Sequence, residues 1–199
     1  MKMNALLIIP LLWLGTGACS SANEEIPGPL PPAPDTYVPG STAGIDGDVR
    51  IGIASGEASE YQPGENIERS WDGDMSTLYH SPWSGPANFP VTLEYRFKTP
   101  EDVDYIVYKP RQDAENGLFG EFELFVATEA KPEYVKVGDY DFQMSFSPST
   151  ILFDERIEGA TAFKFSVKSG GNDFVSCAEM EFYLFQTDEH GNPTKEPYD

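Results

Sequence analysis

Apolar and polar residues alternate with a period of two in several parts of the chain. The clearest stretches are 91–97, 122–126, 163–167 and 180–184. A period of two puts one face of a segment in a core and the other in water, which is typical of β-strands. The segments 104–108, 134–140 and 150–153 are further strand candidates, and turn residues separate them. No stretch has a convincing period of 3.6, so about eight strands without helices predict an all-β, two-sheet sandwich of jelly-roll type.

The first residues have the pattern of a bacterial lipoprotein signal. Lys2 is followed by the apolar run 5–14 and by the small residues 15–18, which lead to Cys19. The run is too short for a membrane-spanning helix, which needs about 20 apolar residues. We therefore predict a signal peptide at 1–18 and lipidation of Cys19. An ordinary secretory signal that ends at a chance cysteine is the alternative.

The residues after Cys19 predict a tether. Six prolines crowd this stretch: Pro27, Pro29, Pro31, Pro32, Pro34 and Pro39. Such spacing favours an extended polyproline conformation. Glu24 and Glu25 resemble the acidic tracts that direct some lipoproteins to the cell surface. We predict a tether at 19–47, a sandwich at 48–187 and a polar tail at 188–199, on a protein anchored in the outer membrane and displayed at the cell surface.

Charge and cysteine content narrow the choice of partners. The formal net charge of −20 disfavours nucleic acid and anionic membrane surfaces, so membrane contact is expected through the lipid anchor alone. If Cys19 carries lipid, Cys177 has no partner for an intramolecular disulfide. The domain must then be held by its core, and 13 Phe, 10 Tyr and 3 Trp are enough for an aromatic one.

One loop carries the chemistry of a metal site. Asp72, Asp74 and Thr77 place two carboxylates and a hydroxyl within six residues. Hard oxygen ligands in a tight loop suit calcium. The same Asp-Gly-Asp sequence is also an ordinary turn, so the residues alone leave both interpretations open.

Other polar and aromatic residues have the chemistry to hold a neutral sugar. His80 lies in a turn-like segment, whereas His190 lies in the polar tail. Arg111 presents a rigid fork of donors, and Asn116 can both donate and accept. Phe174 follows a glycine-rich turn that would expose its ring. The alternatives are a packed histidine, a surface ion pair of Arg111 and a core position for Phe174.

The order and spacing of these residues resemble a known family. From 49 to 185 the sequence is similar to discoidin domains, also called coagulation factor V/VIII C-type domains, and most closely to their sugar-binding branch, carbohydrate-binding module family 32. The residues that carry this likeness are Ala54-Ser55, Gly64-Glu65, Asp72-Gly73-Asp74, Thr77, His80, Tyr108, Pro110-Arg111, Asn116-Gly117, the segment 121–126 and the segment 178–182.

The resemblance implies a jelly roll with structural calcium. Asp72, Asp74 and Thr77 would be ligands, Ser70 would offer its carbonyl, and Glu179 would close the site from the last strand. This makes calcium the expected cofactor.

The resemblance also implies a galactose-type site. The histidine and arginine that match His80 and Arg111 hold the axial hydroxyl of galactose in such modules, and an aromatic ring stacks beneath the sugar. Tyr79 stands where relatives commonly carry tryptophan. The implied carbohydrate-binding residues are His80, Arg111, Asn116, Phe174, Glu65 and Tyr79.

We therefore expect a non-catalytic, surface-anchored protein that binds terminal galactose or N-acetylgalactosamine. The sequence has no Gly-x-Ser-x-Gly or His-Glu-x-x-His motif, so no enzyme is predicted. The alternative is a protein-binding or adhesion module that uses the same loops. Similar modules accompany enhancin-like metallopeptidases, which leaves a companion enzyme or another protein partner open. Phospholipid binding is disfavoured by the acidic charge.

Overall fold

The computed structural model describes residues 47–188. The signal peptide, Cys19, nearly all of the tether and His190 lie outside the described residues, and their interpretations stay predictions. In the described range no helix is long and apolar enough to cross a membrane. The strands of this range are β1 (Val49–Ile51), β2 (Ile53–Ala58), β3 (Tyr79–His80), β4 (Val91–Lys109), β5 (Glu121–Thr128), β6 (Val135–Asp141), β7 (Ser149–Val167), β8 (Ser176–Cys177) and β9 (Glu179–Leu184).

The observed strands confirm the predicted β-rich pattern and join some of the predicted segments. The segments 91–97 and 104–108 belong to the single strand β4, and β7 likewise contains both 150–153 and 163–167. The two long strands pair with each other along most of their length, with register shifts between Arg96 and Tyr105. Such irregularities bend a strand without ending its ladder. The interruption of the alternating pattern between the segments 91–97 and 104–108 therefore corresponds to a bend in β4 and not to the end of a strand.

The bends let β4 and β7 take part in both layers of a sandwich. The first half of β4 pairs with β2 and with the end of β7. The second half of β4 pairs with β9 and with the start of β7. β5 joins the end of β7, and β6 forms the edge beyond β5. With the short β3–β8 pair at one end, this arrangement is an antiparallel, all-β jelly-roll sandwich, as predicted.

Aromatic rings fill the space between the layers. Phe182 on β9 lies 5.2 Å from Phe97 and from Phe163, and 5.8 Å from Tyr95, measured between ring centroids. Full burial of one phenylalanine contributes roughly 1.5–3 kcal/mol. Cys177 is a free, buried thiol within the same core, and burial raises the pKa of this thiol well above its usual value. Cys177 therefore packs as a small buried hydrophobe.

Candidate functional site

Backbone hydrogen bonds tie three loops together at one end of the sandwich. In the β3–β8 pair, Tyr79 faces Cys177 and His80 faces Ser176. The Ser81 amide donates to the Val175 carbonyl at 2.8 Å. We call the segments 79–87, 110–118 and 170–176 the loop rim. They carry His80, Arg111, Asn116 and Phe174, which are far apart in the sequence.

The 170–176 loop is also fixed to the 110–118 loop by short backbone hydrogen bonds. The Gly117 amide donates to the Gly171 carbonyl at 2.8 Å, and the Ser176 amide donates to the Gly117 carbonyl at 2.8 Å. Only glycine fits at position 171, because a Cβ there would lie 2.0 Å from the Glu115 carbonyl oxygen. The glycines of these loops therefore serve close backbone approach.

His80 is a buried residue whose ring reaches the rim. It lies in β3 rather than on the exposed turn that the sequence suggested, and only 2% of its surface is exposed. Its Nδ1 lies 2.7 Å from the Ser81 carbonyl oxygen. A carbonyl can only accept, so Nδ1 carries the proton and Nε2 is the acceptor nitrogen.

The surroundings of His80 favour its neutral form. Burial lowers the pKa of His80, and the nearby charge of Arg111 lowers it further, while the bond to the Ser81 carbonyl acts the other way. The hydrogen bond of the His80 ring is made by Nδ1. Nε2 is not among the buried side-chain atoms of residues 47–188 that lack a hydrogen bond, so this edge of the ring keeps contact with solvent.

Arg111 lies near enough for its charge to lower the pKa of His80, and a neighbouring carboxylate orients its side chain. Its Nε and one terminal nitrogen donate to the two Asp113 carboxylate oxygens at 2.7 and 2.9 Å. The Arg111 side chain is 15% exposed, whereas that of Asp113 is mostly exposed. The hydrogen bonds from Arg111 lower the pKa of Asp113. The ion pair considered in the sequence analysis thus exists, and it fixes the orientation of the guanidinium.

Phe174 and Asn116 are the other two predicted sugar-binding residues on the loop rim. The Phe174 ring is half-buried, and its centroid lies 5.5 Å from that of His80 at an interplanar angle of 53°. The Asn116 side-chain oxygen accepts a bond from the Asn172 side-chain nitrogen at 2.8 Å. This bond leaves the Asn116 amide nitrogen as the group that can donate to a ligand.

Trp83 is a rim residue that the sequence reasoning missed. It is 61% exposed, and its ring lies 6.1 Å from that of His80 at 82°. Its amide donates to the Gln62 side-chain oxygen at 2.9 Å. An aromatic residue between Pro82 and Ser84, three positions after His80, was a readable signal of an exposed ring on a loop.

Tyr79 and Glu65 take supporting positions. Tyr79 is wholly buried and its hydroxyl donates to the Glu60 carbonyl at 2.8 Å, so the expectation that Tyr79 faces a sugar is corrected. Strand alternation turns its side chain into the core while His80 faces the rim. The Glu65 carbonyl accepts from the His80 amide at 3.1 Å, and the Glu65 carboxylate lies 3.9 Å from Nε of Arg69.

The acidic loop brings several oxygens close to the Thr77 hydroxyl. This hydroxyl lies 2.7 Å from a carboxylate oxygen of Asp72, 3.1 Å from the Asp74 carbonyl and 3.5 Å from the Arg69 carbonyl. Glu179 approaches from β9, where its carboxylate accepts from the Gly73 amide at 2.8 Å. Oxygens from distant segments therefore meet in this loop.

The detailed roles in this loop differ from the expected ligand set. The Asp74 carboxylate accepts hydrogen bonds from the amide and hydroxyl of Ser76. The group of Asp74 that lies near the Thr77 hydroxyl is its backbone carbonyl. The Ser70 hydroxyl is buried and donates to the Ile67 carbonyl at 2.7 Å. The expected contribution of Ser70 was its carbonyl, whereas the carbonyl found near Thr77 belongs to Arg69.

Glu179 is a buried carboxylate between opposing charges. Burial raises its pKa to about 7, and the negative charges of Glu181 and Asp72 add to this rise. Arg50 opposes it and donates to the Glu179 carboxylate at 3.0 Å. A cation close to Asp72 would relieve the repulsion that the two carboxylates exert on each other.

The donor set fits calcium in kind. Carboxylate, hydroxyl and carbonyl oxygens are the ligands that this ion takes. In the part of the chain that is described, no three or more His, Cys, Asp or Glu side chains form a group that could hold a metal ion. A calcium ion here would therefore rely on the carbonyls of the loop together with Asp72, Thr77 and Glu179.

A second candidate site is an open groove. It has a volume of about 520 Å³ and is lined by residues 140–143, 145 and 149–152. None of the predicted carbohydrate-binding residues lines it. The groove is an alternative binding site, and an experiment that locates the ligand can distinguish it from the loop rim.

Comparison with known proteins agrees with this fold. The F5/8 type C domain family matches residues 54–180. A family 32 carbohydrate-binding module from Clostridium perfringens NanJ, solved with galactose, superposes with a TM-score of 0.62 at 22% identity, covering 65% of this chain and 93% of the module. The module CpGH89CBM32-5 from the same organism, solved with GalNAc-β-1,3-galactose, gives a TM-score of 0.60 at 22% identity, covering 65% and 94%.

A longer curated relative is matched over a small part of its length. It is an A type blood N-acetyl-α-D-galactosamine deacetylase from Flavonifractor plautii, which is 25% identical over 114 residues. The match covers 57% of this chain and 14% of the deacetylase. The family match extends over well more than half of the chain, from the second strand into the last. The chain therefore belongs to the F5/8 type C, or discoidin, domain family.

Proposed function

We propose that this domain binds the terminal galactose or N-acetylgalactosamine residue of glycans and does so without catalysis. The observation that carries the proposal is the meeting of an imidazole, a guanidinium and a phenyl ring at one rim. The ring centroids of His80 and Phe174 lie 5.5 Å apart. The charge of Arg111 lowers the pKa of His80. These are the parts that hold a neutral sugar: an acceptor, a donor and an apolar face.

The polar pair suits a single hydroxyl group. Nε2 of neutral His80 would accept a hydrogen bond from the hydroxyl, while the Arg111 guanidinium would donate one to the oxygen of the same group. A site built to bond one hydroxyl discriminates against sugars that hold this group elsewhere, because its buried polar atoms would then lose their partners. An axial hydroxyl, which rises from the sugar ring stacked on Phe174, fits this arrangement.

The expected affinity is low. One sugar residue at an open rim makes few contacts, and association has an entropic cost. A dissociation constant near the millimolar level corresponds to about −4 kcal/mol. Binding of this strength suits display in many copies on a surface, where several weak contacts act together.

The solved relatives support a sugar as the ligand class. The two modules described above were solved with galactose and with a galactose-containing disaccharide. The deacetylase activity belongs to a relative that the chain matches over 14% of its length, so we do not extend that activity to this domain.

Calcium is proposed as a structural cofactor of the rim. Asp72, Thr77 and Glu179, with carbonyls of the loop, would hold the ion close to the segment that leads into β3. The ion would neutralise the repelling carboxylates of Asp72 and Glu179. Its contribution would be to fix the loop rather than to contact the sugar.

Lipidation of Cys19 and display on the outer membrane are also proposed. Cys19→Ser is expected to move the protein from the membrane fraction to the soluble fraction, because the acyl anchor is lost. Cys177→Ser is the matched control and should stay with membranes. Membrane retention of Cys19→Ser would contradict the anchor.

A glycan array probed with the protein, with and without chelator, tests the proposed ligand class. We expect signals on glycans that end in galactose or N-acetylgalactosamine, together with weaker signals after chelation. Absence of glycan signals, combined with capture of a protein partner that Arg111→Ala abolishes, would favour the adhesion alternative and contradict the lectin proposal.

A further inference from the structure

The layer formed by β1, β9, the second half of β4 and the start of β7 has an apolar cluster on its outer face. Four buried residues and the partly buried Leu152 form this outer cluster: Tyr105, Val107, Tyr183, Phe185 and Leu152. Ile106 and Phe182, which are their neighbours in sequence, belong to the main core. Because successive side chains of a strand point to opposite faces, the outer cluster lies on the side that faces away from the main core.

The register of the strands places three of these side chains in one line across the layer. Tyr105 on β4 pairs with Tyr183 on β9 and with Leu152 on β7. The rings of Tyr105 and Tyr183 are stacked with their centroids 4.8 Å apart, and the Phe185 ring lies 5.3 Å from that of Tyr105. Since strands lie about 4.8 Å apart, the line is roughly 10 Å wide. The outer cluster is thus a continuous apolar surface over three strands.

The rings of the outer cluster are more buried than an uncovered face allows. Tyr105 is 3% exposed, Tyr183 1% and Phe185 6%. Neighbouring side chains of the same sheet shield the flanks of a ring, but they leave open the side that points away from the sheet. The described strands all belong to the two layers or to the short β3–β8 pair, so none of them forms a third layer here. The burial therefore indicates that another segment lies over this face.

The chain enters the described domain at the edge of the outer cluster. Asp48 is wholly buried, and its carboxylate accepts hydrogen bonds from the Tyr105 hydroxyl at 2.8 Å and from the Gln186 amide at 3.0 Å. The residues that precede Asp48 therefore start beside these rings. The residues that follow Asp188 start from the same edge, because Gln186 is bound there as well.

The segment 37–46 has a better composition for covering an apolar face than the tail 189–199. It carries Tyr37, Val38, Pro39 and Ile45 with one charged residue, whereas the tail carries four charged residues and one aromatic one. Proline restricts the free chain and so lowers the entropic cost of ordering it. At about 3.1 Å per residue, ten extended residues span roughly 30 Å, which is well beyond the width of the line of rings.

We propose that residues 37–46 pack across this outer face and cover the outer cluster. The predicted tether then has two parts. Residues 37–46 belong to the folded domain, and residues 19–36 form the free link, with a reach of roughly 55 Å at about 3.1 Å per residue. Such packing would fix the orientation of the domain relative to the point where the link leaves it. The packing depends neither on sugar binding nor on lipidation.

Spin labels on the two ends of the chain test this packing. In the full chain with Cys19→Ser, a nitroxide on Thr36→Cys is compared with one on Thr194→Cys. Cys177 is buried and is therefore protected from labelling. Nuclear magnetic resonance measures the broadening of the backbone amide signals. A mixture of isotope-labelled protein without nitroxide and unlabelled protein with nitroxide detects contacts between copies.

The label at position 36 should act on the outer cluster within one molecule. We expect the strongest broadening at Tyr105, Val107 and Leu152, while the signals of β5 in the other layer stay sharp. The label at position 194 should broaden these three residues less. The mixed sample should show no broadening of the outer cluster.

Loss of the packing should also lower stability. Tyr37→Ala should reduce the melting temperature by about 2–4 °C, because an aromatic ring loses its contacts. Tyr198→Ala is the matched control in the tail and should leave the melting temperature unchanged. Differential scanning calorimetry measures both variants.

Four results would overturn the proposed packing. Broadening from position 36 that is equal in both layers would show that the segment does not lie on this face. Broadening of the outer cluster from position 194 alone would assign the face to the tail. Broadening in the mixed sample would assign it to a second copy of the chain. Equal melting temperatures of Tyr37→Ala and the unaltered protein would also contradict the packing.

Discussion

Burial and one carbonyl group set the chemistry of His80. A mostly buried imidazole resists protonation, and the Ser81 carbonyl holds the proton on Nδ1. Arg111 adds a fixed positive charge nearby, which disfavours a second one. The two residues therefore offer one acceptor and one donor on the same rim at neutral pH.

Arg111→Ala tests the donor. We expect galactose affinity to fall at least about tenfold, because a charged donor is lost. Stability should change by no more than about 0.5 kcal/mol, since Asp113 is mostly exposed and remains solvated. Isothermal titration and thermal unfolding measure the two effects.

Arg96→Ala is the matched control for Arg111→Ala. Arg96 is an exposed arginine of β4 that is paired with Glu94, and it carries no proposed role. Its removal should leave galactose affinity unchanged. Unchanged affinity in Arg111→Ala itself would remove Arg111 from the site.

The pH dependence of binding tests the neutral imidazole. Burial lowers the pKa of His80 below its usual value of about 6.5, so the ring is mostly neutral above that pH. Galactose affinity should be constant down to pH 6.5 and decline under more acidic conditions, where Nε2 gains a proton and can no longer accept. Asp113 stays ionised there, because its own pKa is lowered by Arg111.

His190→Ala provides the control for this profile, because His190 and His80 are the two histidines of the chain. The variant should titrate like the unaltered protein. A decline in affinity that begins well above pH 6.5 would contradict a lowered pKa at His80.

Single residues show where sequence reasoning succeeds and where it fails. His80, Arg111, Asn116 and Phe174 were chosen from the sequence, and they lie on the loops that meet at one rim. Tyr79 was misassigned because neighbouring residues in a strand face opposite sides, and the two-residue β3 is too short to give a visible alternation.

At the scale of elements, the two-residue pair β3–β8 organises the rim. This pairing and the bond from Ser81 join segments that are nearly a hundred residues apart, and the bonds of Gly117 join segments about half as far apart. The sequence gives no sign of such pairing, because a strand of two residues has no periodicity. It did indicate the longer strands, where alternation extends over five or more residues.

Gly171→Ala tests the close approach of two rim loops. The added methyl group would collide with the Glu115 carbonyl oxygen, 2.0 Å away. We expect a loss of roughly 1–3 kcal/mol, a fall in melting temperature of about 3–10 °C, and weaker galactose binding. Differential scanning calorimetry and isothermal titration measure these changes.

Gly85→Ala is the corresponding control within the rim. Nothing lies within 4 Å of a Cβ at this position, so stability and binding should be nearly unchanged. An equal effect of both substitutions would show that the contact between the loops is not what Gly171 serves.

Removal of metal tests the acidic loop. If calcium binds the folded protein alone, a hundredfold excess over the dissociation constant stabilises it by about 2.7 kcal/mol. A chelator should therefore lower the melting temperature, and Asp72→Asn should remove this response. Elemental analysis of the dialysed protein should find about one calcium per chain.

Asp154→Asn is the control for Asp72→Asn, because Asp154 is an exposed carboxylate on β7. This variant should keep the response to chelator. Absence of calcium by elemental analysis, together with a melting temperature that chelator does not change, would contradict the calcium proposal.

At the scale of the whole molecule, an aromatic core supports a polar rim. The sandwich needs no disulfide within the described residues, since Cys177 is a buried thiol and stacked rings join the two layers. The fold class followed from the sequence because alternation reports burial directly. The rim did not follow in detail, since loop geometry depends on long-range backbone bonds that leave no local pattern.

The most direct test of the account is a titration of the isotope-labelled protein with galactose and with glucose, followed by nuclear magnetic resonance. The account predicts saturable shifts for galactose at His80, Arg111, Asn116 and Phe174, with much weaker changes for glucose. Absence of saturable shifts with galactose, or shifts confined to the groove at residues 140–152, would contradict it.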